Sequence, residues 1–358
     1  MISLDTRLEG EALLLRRSMI KFTGSNASDI EICGSASRPL PMYLNRQYIK
    51  IMEDLGVDPD VFMELQTDAV ERLRRTTLSA VNAASFLERE LVGKTARVPW
   101  LIRKLYYIGF EFLEDPFLRG IVELAVLSQL RELKHRSRIF VEQGVTLYGI
   151  MDETDTLAEG EIYCRTDKEV IIGKVTITRA PALHPGDIQV ANAVDVPSES
   201  PLNALHNCIM FSQQGQRDLP SQLSGGDLDG DTYSVIYDPR LLPPRVEPAD
   251  YPRVAPKDIG RLVTRKDMTD FFIDFMENDQ LGRIATIHTQ LADRSDGGTR
   301  HPDCITLAEM HSTAVDFSKT GIAVCSILAS IEQSLTTSAG RHEKMSKVRS
   351  MPTRLYGS

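Results

Sequence analysis

Three carboxylates at alternate positions, Asp227, Asp229 and Asp231, stand inside the glycine-bracketed run Ser224-Gly225-Gly226-Asp227-Leu228-Asp229-Gly230-Asp231. Acids this close repel one another, and a chain with no use for them would gain by losing one. A hard divalent cation reverses that balance, because it prefers carboxylate oxygen and cancels the repulsion. The backbone is constrained in turn. An extended strand would spread the three side chains over ~13 Å at ~3.3 Å per residue. That is too wide for one ion, or for two ions ~4 Å apart. The segment must therefore curl, and its glycines Gly225, Gly226 and Gly230 permit it. The run reads as a magnesium site with Asp227, Asp229 and Asp231 as ligands, and manganese as a possible substitute.

Other readings of the same residues fit less well. A calcium-binding helix–loop–helix also wants acids at its first, third and fifth positions. It needs glycine sixth and glutamate twelfth, where this chain has Thr232 and Asp238. The Asp-x-Asp-Gly-Thr pattern of aspartate-nucleophile phosphatases follows an apolar strand. Here Gln213 to Ser224 is polar, and Asp231 displaces the threonine by one. A solvated acidic turn accounts for one or two aspartates better than for three in a glycine frame.

The chain of 358 residues is long enough for two or three subdomains. Its net charge of -9 weighs against a general nucleic-acid coat, yet leaves room for an enzyme whose cations line one channel. No stretch offers the ~18 apolar residues of a membrane helix, and Met1 to Gly10 shows no signal-peptide pattern. The five cysteines lie far apart without a Cys-x-x-Cys pair. Reduced, buried thiols in an intracellular protein are the expectation, with cytoplasm and nucleus not distinguished.

Five segments differ in texture. Residues 1–36 read as strands and turns, with Ala12 to Leu15 and Asp29 to Cys33 as the apolar pieces. Residues 37–139 are helical in period from about Pro41. Asp58-Pro59 is a cap and first-turn pair, and Pro116 divides Trp100 to Leu133 into two helices. Residues 140–240 carry six short β-branched runs, 145–150, 161–165, 170–178, 188–194, 207–212 and 232–237. Such a series without a helical insert predicts a small closed barrel, with the acidic loop before its last strand. A proline-rich linker, Pro239 to Pro256, leads into residues 241–340, where helices return at 268–291, 305–317 and 322–335. The basic tail 341–358 is predicted to fray.

These residues resemble a family. Gly225 to Asp231 followed by Thr232-Tyr233 is similar to the signature of the eukaryotic RNA-dependent RNA polymerases of RNA silencing. Thr178-Arg179-Ala180-Pro181-Ala182-Leu183-His184-Pro185-Gly186-Asp187 resembles that family's preceding block, and a stretch in the largest subunit of cellular DNA-dependent RNA polymerases. Arg17 to Phe22, Leu44 to Arg46, Gly149 to Glu153, Asn278 to Ala285 and Leu307 to Gly321 match in the same order.

The resemblance implies an α+β protein: two double-psi β-barrels meeting at the active site, with helical subdomains around them. Residues 140–240 would be the aspartate-bearing barrel and 1–36 the closing part of the first, so that the chain is expected to begin mid-domain. It implies RNA-templated nucleotide addition, using nucleoside triphosphates and magnesium on single-stranded RNA, for the silencing machinery; dimerisation stays open. Arg179 is implied near the incoming ribose, with a barrel-surface salt bridge as the alternative. Lys21 would face the triphosphate and Lys319 the template phosphates. His184 reads as a hydrogen-bonding residue before a turn that Asp187 caps. Arg131, Lys134, His135, Arg136 and Arg138 read as a helix end favoured by the dipole, ahead of an RNA-backbone patch. Two alternatives remain: a truncated, catalytically inactive RNA-binding relic of the family, and a phosphomonoesterase.

Overall fold

Between Ile139 and Ile236, short apolar runs of strand length are separated by turns, and each run has a partner to complete its hydrogen bonds. The computed structural model describes residues 2–20, 24, 29–247, 255, 258–277 and 279–322. Its strands are β1 (Leu40–Leu44), β2 (Ile139–Met151), β3 (Glu161–Arg165), β4 (Val170–Ile171), β5 (Gly173–Arg179), β6 (Ile188–Ala193), β7 (Cys208–Phe211) and β8 (Thr232–Ile236). The ring runs β2-β7-β3-β6-β5-β8, and β8 returns to β2. β2–β7 and β3–β6 are parallel, and the other ring pairs antiparallel. The predicted six-stranded barrel is thus present, closed and without a free edge inside the ring. The run foreseen at 170–178 is broken into β4 and β5 at Gly173, where φ is +107°.

Leu147, Ile162, Val175, Ile177, Ile209, Phe211, Tyr233 and Val235 fill the barrel. Each large side chain buried there contributes roughly 1.5–3 kcal/mol. The Phe211 and Tyr233 rings meet edge to face at 4.8 Å, the arrangement aromatic quadrupoles favour.

Helices α1 (Arg46–Asp54), α2 (Pro59–Thr76), α3 (Ala80–Arg89), α4 (Val98–Tyr107) and α5 (Pro116–Arg136) lie between β1 and β2 in sequence. Asn45, Asp58, Ser79 and Asp115 cap α1, α2, α3 and α5 with their side chains. Pro116 opens α5, as predicted. α1 and α2 pack on the barrel's flank through Ile49, Met52, Phe62 and Leu65, against Met42, Ile139 and Ile236. α3, α4 and α5 enclose a separate core around Phe86, Leu87, Ile102, Phe112 and Val122.

The helical reading from Pro41 fails at its start. Leu40–Leu44 is a strand, paired antiparallel with Ile139–Thr146 of the long β2. Pro41 is tolerated because β1 is an edge. Ala12 to Leu15 and Asp29 to Cys33 form no strand, and the described residues before Leu40 hold only a 3-10 turn at Arg17–Met19. Neither run finds a strand to pair with in this structure. Cys164, Cys208 and Cys304 are buried free thiols, whereas Cys33, in that N-terminal stretch, is exposed.

Beyond the barrel come α6 (Leu219–Gln222, within the loop before β8), α7 (Arg265–Glu277), α8 (Leu281–Arg294), α9 (Pro302–Val315) and α10 (Phe317–Thr320). The single helix foreseen at 268–291 is two, divided near Asp279. α8 and α9 share a core of Ile284, Leu291, Cys304 and Leu307. They are tied to α1 by Asp54, whose Oδ2 accepts from Thr299 N and Oγ1, both at 2.7 Å. The helix foreseen at 322–335 and the basic tail lie essentially outside the described residues. Among the described residues, no helix is long and apolar enough to cross a membrane.

Candidate metal centre

The acidic loop joins α6 to β8, and it curls as its spacing requires. Each of Asp227, Asp229 and Asp231 offers a carboxylate oxygen, and the three atoms lie within 4.8 Å of one another. Gly230 has φ +142°, a conformation L side chains rarely adopt. The curl is closed by the loop's own backbone: Asp227 N donates to Asp231 Oδ2 (2.9 Å) and Asp229 N to Asp227 Oδ1 (3.3 Å).

Two neighbours of β8 hold this loop in place. On one side, Gly149 N of β2 donates to Asp231 O at 3.0 Å. Gly149 must be glycine for a steric reason: an added Cβ would stand 2.3 Å from Tyr233 Cε2. Tyr233 fills that space and donates its hydroxyl to Asp227 O at 2.7 Å. Burial, and then the Asp231 charge, push its phenol well above the usual range, so it stays a neutral donor. On the other side, β5 ends at Arg179, in register with Tyr233. Its guanidinium clasps Asp231 through Nε–Oδ2 (2.7 Å) and Nη2–Oδ1 (3.0 Å). Burial alone would lower the Arg179 pKa, but the bond to Asp231 outweighs it and the pKa is raised.

Arg179 Nη1 also donates to Ser224 O at 3.1 Å, at the loop's entrance. Ser224 is non-glycine at φ +53°, held by Asp187. That buried carboxylate accepts from Ser224 N (3.1 Å), Leu183 N (2.8 Å) and His184 N (2.9 Å). Asp187 therefore does more than cap its turn: it ties the turn to the acidic loop. His184 accepts from Gly186 N through Nδ1 (2.9 Å), a hydrogen-bonding role as expected. Burial lowers its pKa.

The structure brings together Asp227, Asp229, Asp231 and Arg179. Lys319 forms an ion pair with Asp316 at 3.3 Å. Burial acts to lower its pKa, but Asp316, then Asp227 and Asp229, raise it. Lys21 lies outside the described residues. The cationic cluster at the end of α5 behaves as a helix end: Lys134, His135 and Arg136 occupy its last turn, and Arg136 pairs with Glu132 at 3.1 Å. Arg138 lies 3.9 Å from the centroid of the Tyr43 ring. The bracing by Tyr233 and Gly149 escaped sequence reasoning. A signal was present, since Tyr233 and Val235 alternate into the barrel from the strand the loop feeds.

Three converging carboxylates suit a hard cation, and this donor set fits magnesium, which keeps waters and substrate phosphates among its ligands. Asp229 is exposed, and its carboxylate accepts no hydrogen bond among the described residues. Asp231 gives up part of its capacity to Arg179. The three aspartates can therefore hold a divalent cation.

Known proteins match the span that carries this loop. A sequence model described as RNA dependent RNA polymerase matches residues 1–354. The chain is 37% identical over 318 residues to the probable RNA-dependent RNA polymerase 1 of Oryza sativa subsp. japonica, covering 87% of this chain and 42% of the rice protein. It is 36% identical over 345 residues to RNA-dependent RNA polymerase 6 of Arabidopsis thaliana, covering 88% of this chain and 28% of that one. The chain thus spans less than half the length of these relatives. The solved RNA dependent RNA polymerase QDE-1 from Thielavia terrestris superposes with a TM-score of 0.62 at 18% identity, over 87% of this chain and 38% of that one. The likeness is one of fold, and it identifies the barrel as the double-psi type that the sequence resemblance implied.

Proposed function

The chain belongs to the RNA-dependent RNA polymerase family, and on that footing we propose that its barrel is the metal-binding half of an RNA-templated nucleotidyltransferase. Single-stranded RNA is the template, nucleoside triphosphates the substrates and magnesium the ion, with manganese able to replace it. The observation that carries this reading is the convergence of Asp227, Asp229 and Asp231 within 4.8 Å on a loop clamped from both sides. Bound magnesium would lower the pKa of the attacking 3′-hydroxyl and neutralise charge on the departing pyrophosphate.

The chain's own residues supply position and charge. Asp227, Asp229 and Asp231 are the ligands, and Arg179 and Tyr233 fix two of them. Arg179 spends three of its five donors on Asp231 and Ser224. The two that remain are available to a ribose hydroxyl, so the sugar contact and the clasp are compatible roles. Lys319 and Lys21 are assigned to phosphates, where an ammonium acts as a point charge. Residues 1–36 are assigned to a first barrel facing the aspartates. The double-stranded product would enter RNA silencing.

The test is incorporation of labelled nucleotide on a single-stranded template with magnesium, wild type against Asp229→Ala. A loss of roughly a hundredfold or more is expected, together with loss of a manganese site in calorimetric titration. RNA binding without incorporation by the wild type would replace this reading with the inactive relic. Phosphate release from a small ester without template would replace it with a phosphomonoesterase.

A further inference from the structure

In a chain of net charge -9, residues 91–110 contain Lys94, Arg97, Arg103 and Lys104 and not one acid. The same segment carries Trp100, Tyr106, Tyr107 and Phe110. It forms α4, which buries Val98, Pro99 and Ile102 toward α3 and leaves its other side uncovered. Arg97 at the cap position, Trp100, Lys104 and Tyr107 follow at steps of three, four and three, so they share one face. The result is a stripe of cation, ring, cation, ring.

Trp100 is 55% exposed and Tyr107 80% exposed. Lys104 Nζ stands 5.9 Å from the Trp100 ring centroid, and the Tyr106 and Tyr107 rings are 6.2 Å apart. Arg103 is occupied by Glu88, with Nη2–Oε2 at 2.7 Å. Lys94, Arg97 and Lys104 have no carboxylate partner among the described residues.

The pattern discriminates between occupants. An apolar protein partner would have to desolvate Arg97 and Lys104 with nothing to pair them, which is costly. A single nucleic-acid strand offers each cation a phosphate and each ring a base plane. Trp100 and Tyr107 are seven residues apart, or about 10 Å along the helix, and three stacked steps of ~3.4 Å span that length.

We propose that the outer face of α4 is a platform for single-stranded RNA, with bases stacked on Trp100 and Tyr107 and phosphates on Arg97 and Lys104. This second site is distinct from the acidic loop and does not depend on catalysis there.

Trp100 is the chain's one tryptophan, so its emission reports on this face alone. The probe is an oligouridylate of about twelve nucleotides, within the range of known single-strand sites. Wild type and Asp229→Ala are both expected to show saturable quenching of Trp100, which separates this site from the catalytic reading. Tyr107→Ala, at a residue too exposed to threaten folding, should raise the Kd roughly fivefold to a hundredfold. Lys104→Ala should reduce the slope of log K against log salt by about 0.7. Three results would overturn the platform. One is binding of labelled oligonucleotide by anisotropy while Trp100 emission stays constant. Another is quenching by heparin, a polyanion without bases, equal to that by RNA. The third is emission that changes with protein concentration in the absence of RNA, which would make the face a contact between copies of this chain.

Discussion

Removing the Arg179 guanidinium should unfasten the acidic loop before any substrate is present. Arg179 and Asp231 are 17% and 18% exposed, so their pair is neither free in solvent nor fully dry. With charge centres ~4 Å apart and an effective dielectric of ~20, the attraction is about 4 kcal/mol. Desolvation of both groups takes back part of that. The third bond, from Nη1 to Ser224 O, adds roughly 1 kcal/mol. Arg179→Ala is therefore expected to lower the unfolding free energy by roughly 2–4 kcal/mol, because it also strands Asp231 without its partner. Arg179→Lys should cost about half of that, since an ammonium cannot span both carboxylate oxygens. Adding Asp231→Ala to Arg179→Ala should cost less than the sum of the single changes by about 2 kcal/mol.

Urea unfolding followed by far-ultraviolet circular dichroism reads the stabilities, and manganese titration reads the loop. The two roles of Arg179 separate cleanly. If Arg179→Ala unfolds within ~0.5 kcal/mol of wild type, keeps its manganese affinity and loses only discrimination between ribo- and deoxyribonucleotides, the clasp argument is refuted. The guanidinium would then serve the sugar alone.

Three further outcomes follow from the same structure. Gly149→Ala places a Cβ 2.3 Å from the buried Tyr233 ring; a cost of about 1–3 kcal/mol or more is expected in thermal melts, with reduced incorporation because Tyr233 holds Asp227. Asp229→Ala, in chelator, should leave stability unchanged or raise it by about 0.5 kcal/mol, since it removes one of three like charges, even as incorporation disappears. Burial holds both His288, which also feels its neighbour His311, and His311 down to about 4. An unfolded chain takes up these protons near pH 6.5 while the folded one refuses them. Stability should therefore fall as pH drops from about 6.5 toward 4, by roughly 2 kcal/mol per histidine at pH 5 as an upper figure. The fall should be smaller in His311→Gln, compared by urea midpoints at pH 7.5 and 5.

The barrel and the convergence of the three carboxylates were legible because their signals are local. Alternating β-branched runs announce strands wherever they pair, and Asp227, Asp229 and Asp231 sit within five residues of one another. The cap at Asp58 is equally local, and it holds. What could not be read depends on partners remote in the chain. Leu40–Leu44 is a strand only because β2, a hundred residues later, extends far enough to pair with it. The tie from Asp54 to Thr299 crosses 245 residues and leaves no pattern in either segment. Arg179 was picked out through a family block, but its partner was not: the residue assigned to the ribose is bound to Asp231 of the acidic loop.

That last contact explains why a barrel, rather than an open sheet, carries this loop. Asp231 directly precedes β8, and β8 is the strand that closes the ring between β5 and β2. Each neighbour contributes one clamp: Arg179 from the end of β5, and the Gly149 amide from β2. Tyr233, fixed in the barrel interior between them, reaches back to Asp227. An edge strand would lose one clamp, and its loop would gain the freedom to relieve three like charges by spreading them apart. Ring closure opposes that spreading, and it does so with groups other than the ligands themselves. Loosening the β5–β8 seam, as Ile177→Ala would by removing a fully buried side chain beside Val235, should therefore weaken manganese binding without touching a ligand. The cavity should cost about 2–5 kcal/mol of stability. If that variant lost stability yet bound manganese as wild type does, the loop would be rigid on its own account and closure would have no part in assembling the site.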